Sequence, residues 1–110
     1  MDNITFEEFK KIDMRVGEIK SAEDIPGADR IFKLTVDLGS ETRELVAGIR
    51  GHYEKEGLIG KKIVVLTNLE PKIIRGVTSH GMLLAASLED KSALTVITTD
   101  KEIANGSKVS

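Results

Sequence analysis

The chain has 110 residues, no cysteine, two histidines and a formal net charge of −2. That length suits one domain with its own core, expected over residues 1–110. The lack of cysteine excludes disulfides and thiolate metal sites, and the small negative charge excludes indiscriminate nucleic-acid binding driven by bulk charge, though not binding through a local patch.

With His52 and His80 as the only imidazoles, no structural zinc site is expected. The first residues, Met1-Asp2-Asn3-Ile4, lack the basic and apolar regions of a signal peptide. The longest apolar runs, such as 63–66, are far too short to span a bilayer. The expectation is a cytoplasmic protein without a membrane segment.

Residues 4–9 read as a helix start. Thr5 can cap, Glu8 three residues on completes a capping box, and Ile4 and Phe9 take the positions of a hydrophobic staple. Phe6 and Phe9 make one face, expected to pack on the body, and the helix should end near Ile12. Residues 14–19 read as a strand whose alternation slips at Gly17, the mark of a bulge or sharp bend. Residues 23–29 form a loop by their turn residues. Phe32, Leu34, Val36 and Leu38 alternate with Lys33, Thr35 and Asp37 in a half-buried strand. Gly39-Ser40 turns the chain into a second strand at 45–49, completing a hairpin.

Residues 50–60 are irregular, with one helical turn expected around Tyr53-Glu54-Lys55. Residues 63–66 form a continuous apolar, β-branched run suited to a central strand. Residues 81–86 read as another buried strand, 89–92 as a turn and 94–98 as a last strand; the tail is mostly polar. About six short strands with frequent turns and little helix suit a small antiparallel barrel or sandwich. The expected fold is all-β, a Greek-key barrel of the oligonucleotide/oligosaccharide-binding type with a short N-terminal helix.

No catalytic constellation stands out. A phosphate-binding P-loop at Gly60 fails, because Lys55 holds the first glycine position and Lys62 the hydroxyl position. Ser79 and His80 are sequence neighbours, which point to opposite faces of a strand. Neither an enzyme nor a cofactor is expected.

The stretch 68–86 differs from its apolar flanks. Between Gly60 and Gly81 the cations are Lys61, Lys62, Lys72 and Arg75, and the only anion is Glu70, whereas acids gather at Glu7, Glu8, Glu23, Asp24, Glu54, Glu56, Glu89 and Asp90. Arg75 offers a planar fork of donors for phosphate or a base edge, and Lys72 a point charge. Asn68, Thr78 and Ser79 can hydrogen-bond phosphate or a ribose 2′-hydroxyl. Gly76 and Gly81 let backbone approach a ligand. Met82 is core or a soft contact surface, and Ser79 is equally a strand-end hydroxyl. The aromatic residues are only Phe6, Phe9, Phe32 and Tyr53, too few for stacking many bases. Contact through shape, phosphate and ribose suits this composition better.

Three ordered blocks carry a family resemblance: Phe9-Lys10-Lys11-Ile12-Asp13-Met14-Arg15-Val16-Gly17-Glu18-Ile19; Pro26-Gly27-Ala28-Asp29-Arg30-Ile31-Phe32; and Asn68-Leu69-Glu70-Pro71 with Arg75-Gly76 and Ser79-His80-Gly81-Met82-Leu83-Leu84-Ala85. The chain resembles the tRNA-binding domain family, which includes stand-alone tRNA-binding proteins, the C-terminal domain and detached beta chain of methionyl-tRNA synthetases, the endothelial-monocyte-activating polypeptide domain and a secretion-linked chaperone branch. The resemblance implies a non-catalytic barrel that grips the outer corner of tRNA with little sequence preference. It implies a homodimer built with the terminal segments, acting free or as an accessory subunit of methionyl-tRNA synthetase. By position it implies that Asn68, Lys72, Arg75, Ser79 and Met82 contact RNA. Ile73 departs from the pattern, since many relatives have lysine there. The same resemblance admits a peptide-binding chaperone or a docking module for synthetase complexes.

Overall fold

A computed structural model describes residues 1–110. In chain order the elements are α1 (Phe6–Phe9), β1 (Met14–Asp24), β2 (Phe32–Asp37), β3 (Thr42–Ala47), α2 (Lys55–Leu58), β4 (Lys62–Leu66), β5 (Lys72–Ile74), β6 (Val77–Ser79), β7 (Met82–Leu83), β8 (Ala85–Ser87), β9 (Leu94–Val96) and β10 (Lys108–Val109).

Strand β1 is the axis. Its first half, Met14 to Glu18, pairs antiparallel with β4, and its second half, Glu18 to Asp24, with β2. One strand can serve two neighbours this way only if it bends. The register shift against β2 falls between Ile19 and Ser21, at Lys20, and not at Gly17 where the broken alternation suggested it. Gly17 answers a different need: a Cβ there would stand 2.5 Å from Val36 Cγ1, so β1 and β2 pack too closely for any side chain. The polar tail supplies β10, whose Lys108 and Val109 pair with Arg15 and Met14.

The main sheet runs β3-β2-β1-β4-β7, with β10 beside β1. It curls into a nearly closed barrel. The far edge of β3 meets the segment leading into β7: the His80 N–H donates to the Glu44 carbonyl at 2.9 Å, and the Val46 N–H donates to Ser79 Oγ at 2.9 Å. The alternation predicted for β2 is realised, with Phe32, Leu34 and Val36 inside against Leu45 and Ala47 of β3. Ile19, Ile63 and Val65 complete the centre of the core. The helical turn lies at α2, a few residues after Tyr53, where it buries Leu58 completely.

Two expectations fail for want of a neighbour. The α1 capping box is present, with Thr5 and Glu8 satisfying each other's backbone N–H groups. Four residues are too short to carry a face onto the barrel, however, and nothing in α1 is buried. Phe6 stays 70% exposed and stacks on Phe9 at 6.4 Å, with the Lys10 ammonium 5.5 Å above its ring. The strand expected at 81–86 splits. Leu83 enters the core beside β4, while Ala85 begins the exposed strand β8, paired with β9, whose Val96 is buried. No helix is long and apolar enough to cross a membrane.

Candidate nucleic-acid interface

Residues 67–81 leave β4, project as the β5–β6 hairpin and return into β7. Their root is tied to the start of β1. The Thr67 N–H donates to the Asp13 carbonyl at 2.9 Å, and the Thr67 hydroxyl donates to the Asp13 carboxylate. Asn68 Oδ1 accepts the Asp13 N–H at 2.9 Å, while its Nδ2 donates to the Lys11 carbonyl. Arg15 closes the node with an ion pair to Asp13 at 3.0 Å. The Arg15 guanidinium, and after it the Thr67 hydroxyl, hold the Asp13 carboxyl below the usual carboxylate range. The Asp-x-Arg pattern of the first block is therefore the other half of the hairpin's anchor.

The other end of the stretch is anchored at Ser79. Its hydroxyl accepts from Val46 and donates to the Gly81 carbonyl at 3.0 Å. Arg43 ties both ends together, donating through Nη1 to the Thr67 carbonyl at 2.6 Å and to the His80 carbonyl at 3.3 Å. An ion pair with Glu41 at 2.9 Å steadies the guanidinium. Sequence reasoning missed Arg43, because its partners are carbonyls far along the chain and carbonyls leave no signature in side-chain pattern.

Between these anchors the hairpin is tight. Lys72 pairs with Ser79, Ile73 with Thr78 and Ile74 with Val77, leaving Arg75 and Gly76 as the two turn residues. Both have positive φ, 53° and 81°, the signature of a type I′ turn that matches the twist of the strands. The left-handed conformation costs a non-glycine residue roughly 1–2 kcal/mol, and Arg75 adopts it at the hairpin tip. Opposed residues share a face, so Lys72, Ile74, Val77 and Ser79 lie on one side and Ile73 and Thr78 on the other.

The five residues named from sequence divide accordingly. Lys72 and Arg75 are exposed. Neither has a carboxylate within ion-pair distance, whereas Lys33, Arg43, Arg50, Lys55 and Lys62 all do. Met82, opposite Leu66 on the barrel edge, is 46% exposed. Asn68 is exposed, but both ends of its amide are engaged at the root. Ser79 is 5% exposed, with its hydroxyl spent within the barrel. Ile73 is 72% exposed on the face away from Lys72, so that lysine does not substitute for a cation at position 73.

Residues 14–108 match the family described as "Putative tRNA binding domain". The chain belongs to the tRNA-binding domain family. The methionine–tRNA ligase of Methanocaldococcus jannaschii is 49% identical over 109 residues, 99% of this chain and 17% of that protein. That of Caldanaerobacter subterraneus is 47% identical over 110 residues, 100% of this chain and again 17% of the protein. Against these relatives the chain spans about a sixth of the full length. Among solved structures, a MetRS-related protein from Pyrococcus horikoshii superposes with a TM-score of 0.93 at 39% identity, covering 99% of both chains. A CsaA chaperone from Picrophilus torridus gives 0.88 at 33% identity, covering 98% of this chain and 100% of that one.

In this tRNA-binding domain the first and third sequence blocks meet, one anchoring and the other forming the hairpin. The second block lies apart, where Phe32 enters the core and the Ala28 carbonyl accepts from Arg50 Nη1 at 2.6 Å.

Proposed function

We propose that this domain binds tRNA at its outer corner with little sequence preference, without catalysis, and that the β5–β6 hairpin makes the contact. The observation that carries this is the pair of unpaired cations on an anchored turn: Lys72 and Arg75 meet no carboxylate, and the type I′ turn and the Asp13, Arg43 and Ser79 anchors limit what ordering them on RNA costs. Lys72 and Arg75 meet phosphate, and Met82 lies against ribose or a base. Asn68 and Ser79 serve the same site by holding the hairpin. The protein acts in the cytoplasm as a homodimer, free or as an accessory subunit of methionyl-tRNA synthetase. The exposed apolar residues Ile4 and Phe6 at the N-terminus support the dimer.

The test is the Lys72→Gln/Arg75→Asn double variant. Asparagine tolerates the left-handed turn position, so the charges go while the hairpin stays. Affinity for total tRNA should fall about tenfold or more, and the dependence of log K on log salt should flatten by about one for each phosphate the variant no longer neutralises. Wild-type affinity and slope in that variant refute the assignment.

A second reading, a peptide-binding chaperone, is favoured by the structural match to CsaA chaperones. Competition separates the two. On the main reading tRNA binds with no peptide present and an unfolded peptide does not displace it; the second reading requires peptide binding that survives saturation with tRNA.

A further inference from the structure

Barrels of this type often take single-stranded nucleic acid across the outer face of their second and third strands, where a cationic groove tracks the backbone and aromatic side chains stack the bases. Here that face has neither device. The strand registers define it: Glu18 lies opposite Asp37, Ser21 opposite Thr35 and Glu23 opposite Lys33, and on β3 Val46, Glu44 and Thr42 lie opposite Lys33, Thr35 and Asp37. No aromatic side chain is among them. Phe32 points into the core, and the Tyr53 hydroxyl is held by the Val96 N–H at 3.1 Å.

The charges are also wrong for a polyanion. Four carboxylates (Glu18, Glu23, Asp37 and Glu44) face three ammonium groups: Lys33, Lys20 at the bulge, and Lys62 opposite Glu18 at the sheet's β4 side, 3.9 Å from that carboxylate. Lys20 is held by Glu18 at 2.9 Å. Lys33, in mid-sheet, lies 3.3 Å from Glu44 and 4.0 Å from Glu23. Both of its partners are more than half exposed, so they present negative charge to solvent as well as occupying the lysine.

We propose that Glu23 and Glu44 are specificity-determining residues: by engaging Lys33 and repelling phosphate they close the sheet face to single-stranded RNA, leaving RNA to the hairpin. This rests on the RNA-binding reading above and narrows the ligand to RNA whose folded shape offers phosphates to one compact patch. An extended strand needs a long track, and the carboxylates interrupt it.

The experiment compares wild type with Glu23→Gln/Glu44→Gln for binding a labelled oligouridylate and total tRNA across a salt series. Oligouridylate affinity should rise about tenfold, with the salt slope steeper by about 0.7 for the phosphate that Lys33 acquires. Affinity for tRNA should change by less than about twofold. Adding Lys33→Gln should return oligouridylate binding to the wild-type value, and the charge-matched Glu56→Gln/Glu89→Gln variant should leave it there. The single variants Glu23→Gln and Glu44→Gln, each an exposed change, should give about threefold each and replace the double variant if it folds poorly. Unchanged oligouridylate binding, an equal gain in the charge-matched variant, or no reversal by Lys33→Gln overturns the proposal. If oligouridylate binding rises while wild type binds no tRNA, the sheet-face proposal stands and the tRNA reading falls.

Discussion

Ser79→Ala separates a buried tie from an RNA contact. In the native barrel the Ser79 hydroxyl accepts from the Val46 N–H at 2.9 Å and donates to the Gly81 carbonyl at 3.0 Å, with the residue 5% exposed. Alanine removes both bonds and leaves an edge-strand N–H with no replacement partner, which costs about 1–3 kcal/mol. For a domain this size that corresponds to a melting temperature lower by roughly 5–15 °C. The neighbouring bond from His80 to the Glu44 carbonyl stays intact, so the barrel should still close. Thermal and urea unfolding measure the destabilisation, and tRNA titration at a temperature where the variant is folded measures the RNA interaction. Removing a hydrogen bond to RNA worth about 1.4 kcal/mol would weaken binding tenfold; a buried tie, with the Asp13 and Arg43 anchors still holding the hairpin, predicts a much smaller loss. An unchanged unfolding midpoint together with weakened tRNA binding would refute this reasoning and return Ser79 to the RNA surface.

Gly17→Ala drives a Cβ to 2.5 Å from Val36 Cγ1 and 3.0 Å from Leu38 Cδ2, so overpacking should cost about 1–3 kcal/mol in urea unfolding. Asp13 is held below its ordinary pKa in the folded state, chiefly by Arg15 and then by Thr67. The stability it contributes is present above the unfolded-state value of about 3.9 and is lost as pH falls through the lower folded value. Asp13→Asn should therefore be the less stable protein at neutral pH, and its gap to wild type should narrow below about pH 4; a constant gap across urea titrations at several pH values would count against the node. Phe6→Asp replaces the exposed N-terminal aromatic with a charge and should shift sedimentation equilibrium toward monomer while leaving the unfolding free energy from urea titration, measured at a concentration where both proteins are monomeric, within about 0.5 kcal/mol.

Much of the fold was legible because its signals are local. The β2 alternation put Phe32, Leu34 and Val36 inside, the apolar run at 63–66 became β4 with Ile63, Val64 and Val65 buried, and Thr5 with Glu8 formed the capping box. Each depends on residues within a few positions of one another, and side-chain period or capping geometry acts over that range. The candidate site was legible as a stretch, since its cations, the turn glycine and the third family block are contiguous.

Roles within the stretch were another matter. Ser79 and Lys72 sit directly opposite in the hairpin, yet one is buried and the other exposed, because β3 closes over the first and nothing closes over the second. Asn68 looked free until Lys11 and Asp13, more than fifty residues earlier, took up its amide. Arg43 clamps the hairpin through carbonyls that carry no sequence signal. Composition and pattern by themselves determined the all-β class, the central strands, the cationic stretch and the family. Only the tertiary structure decided which of those polar groups remain available to a ligand, because hydrogen-bond partners distant in sequence are chosen by the closure of the barrel.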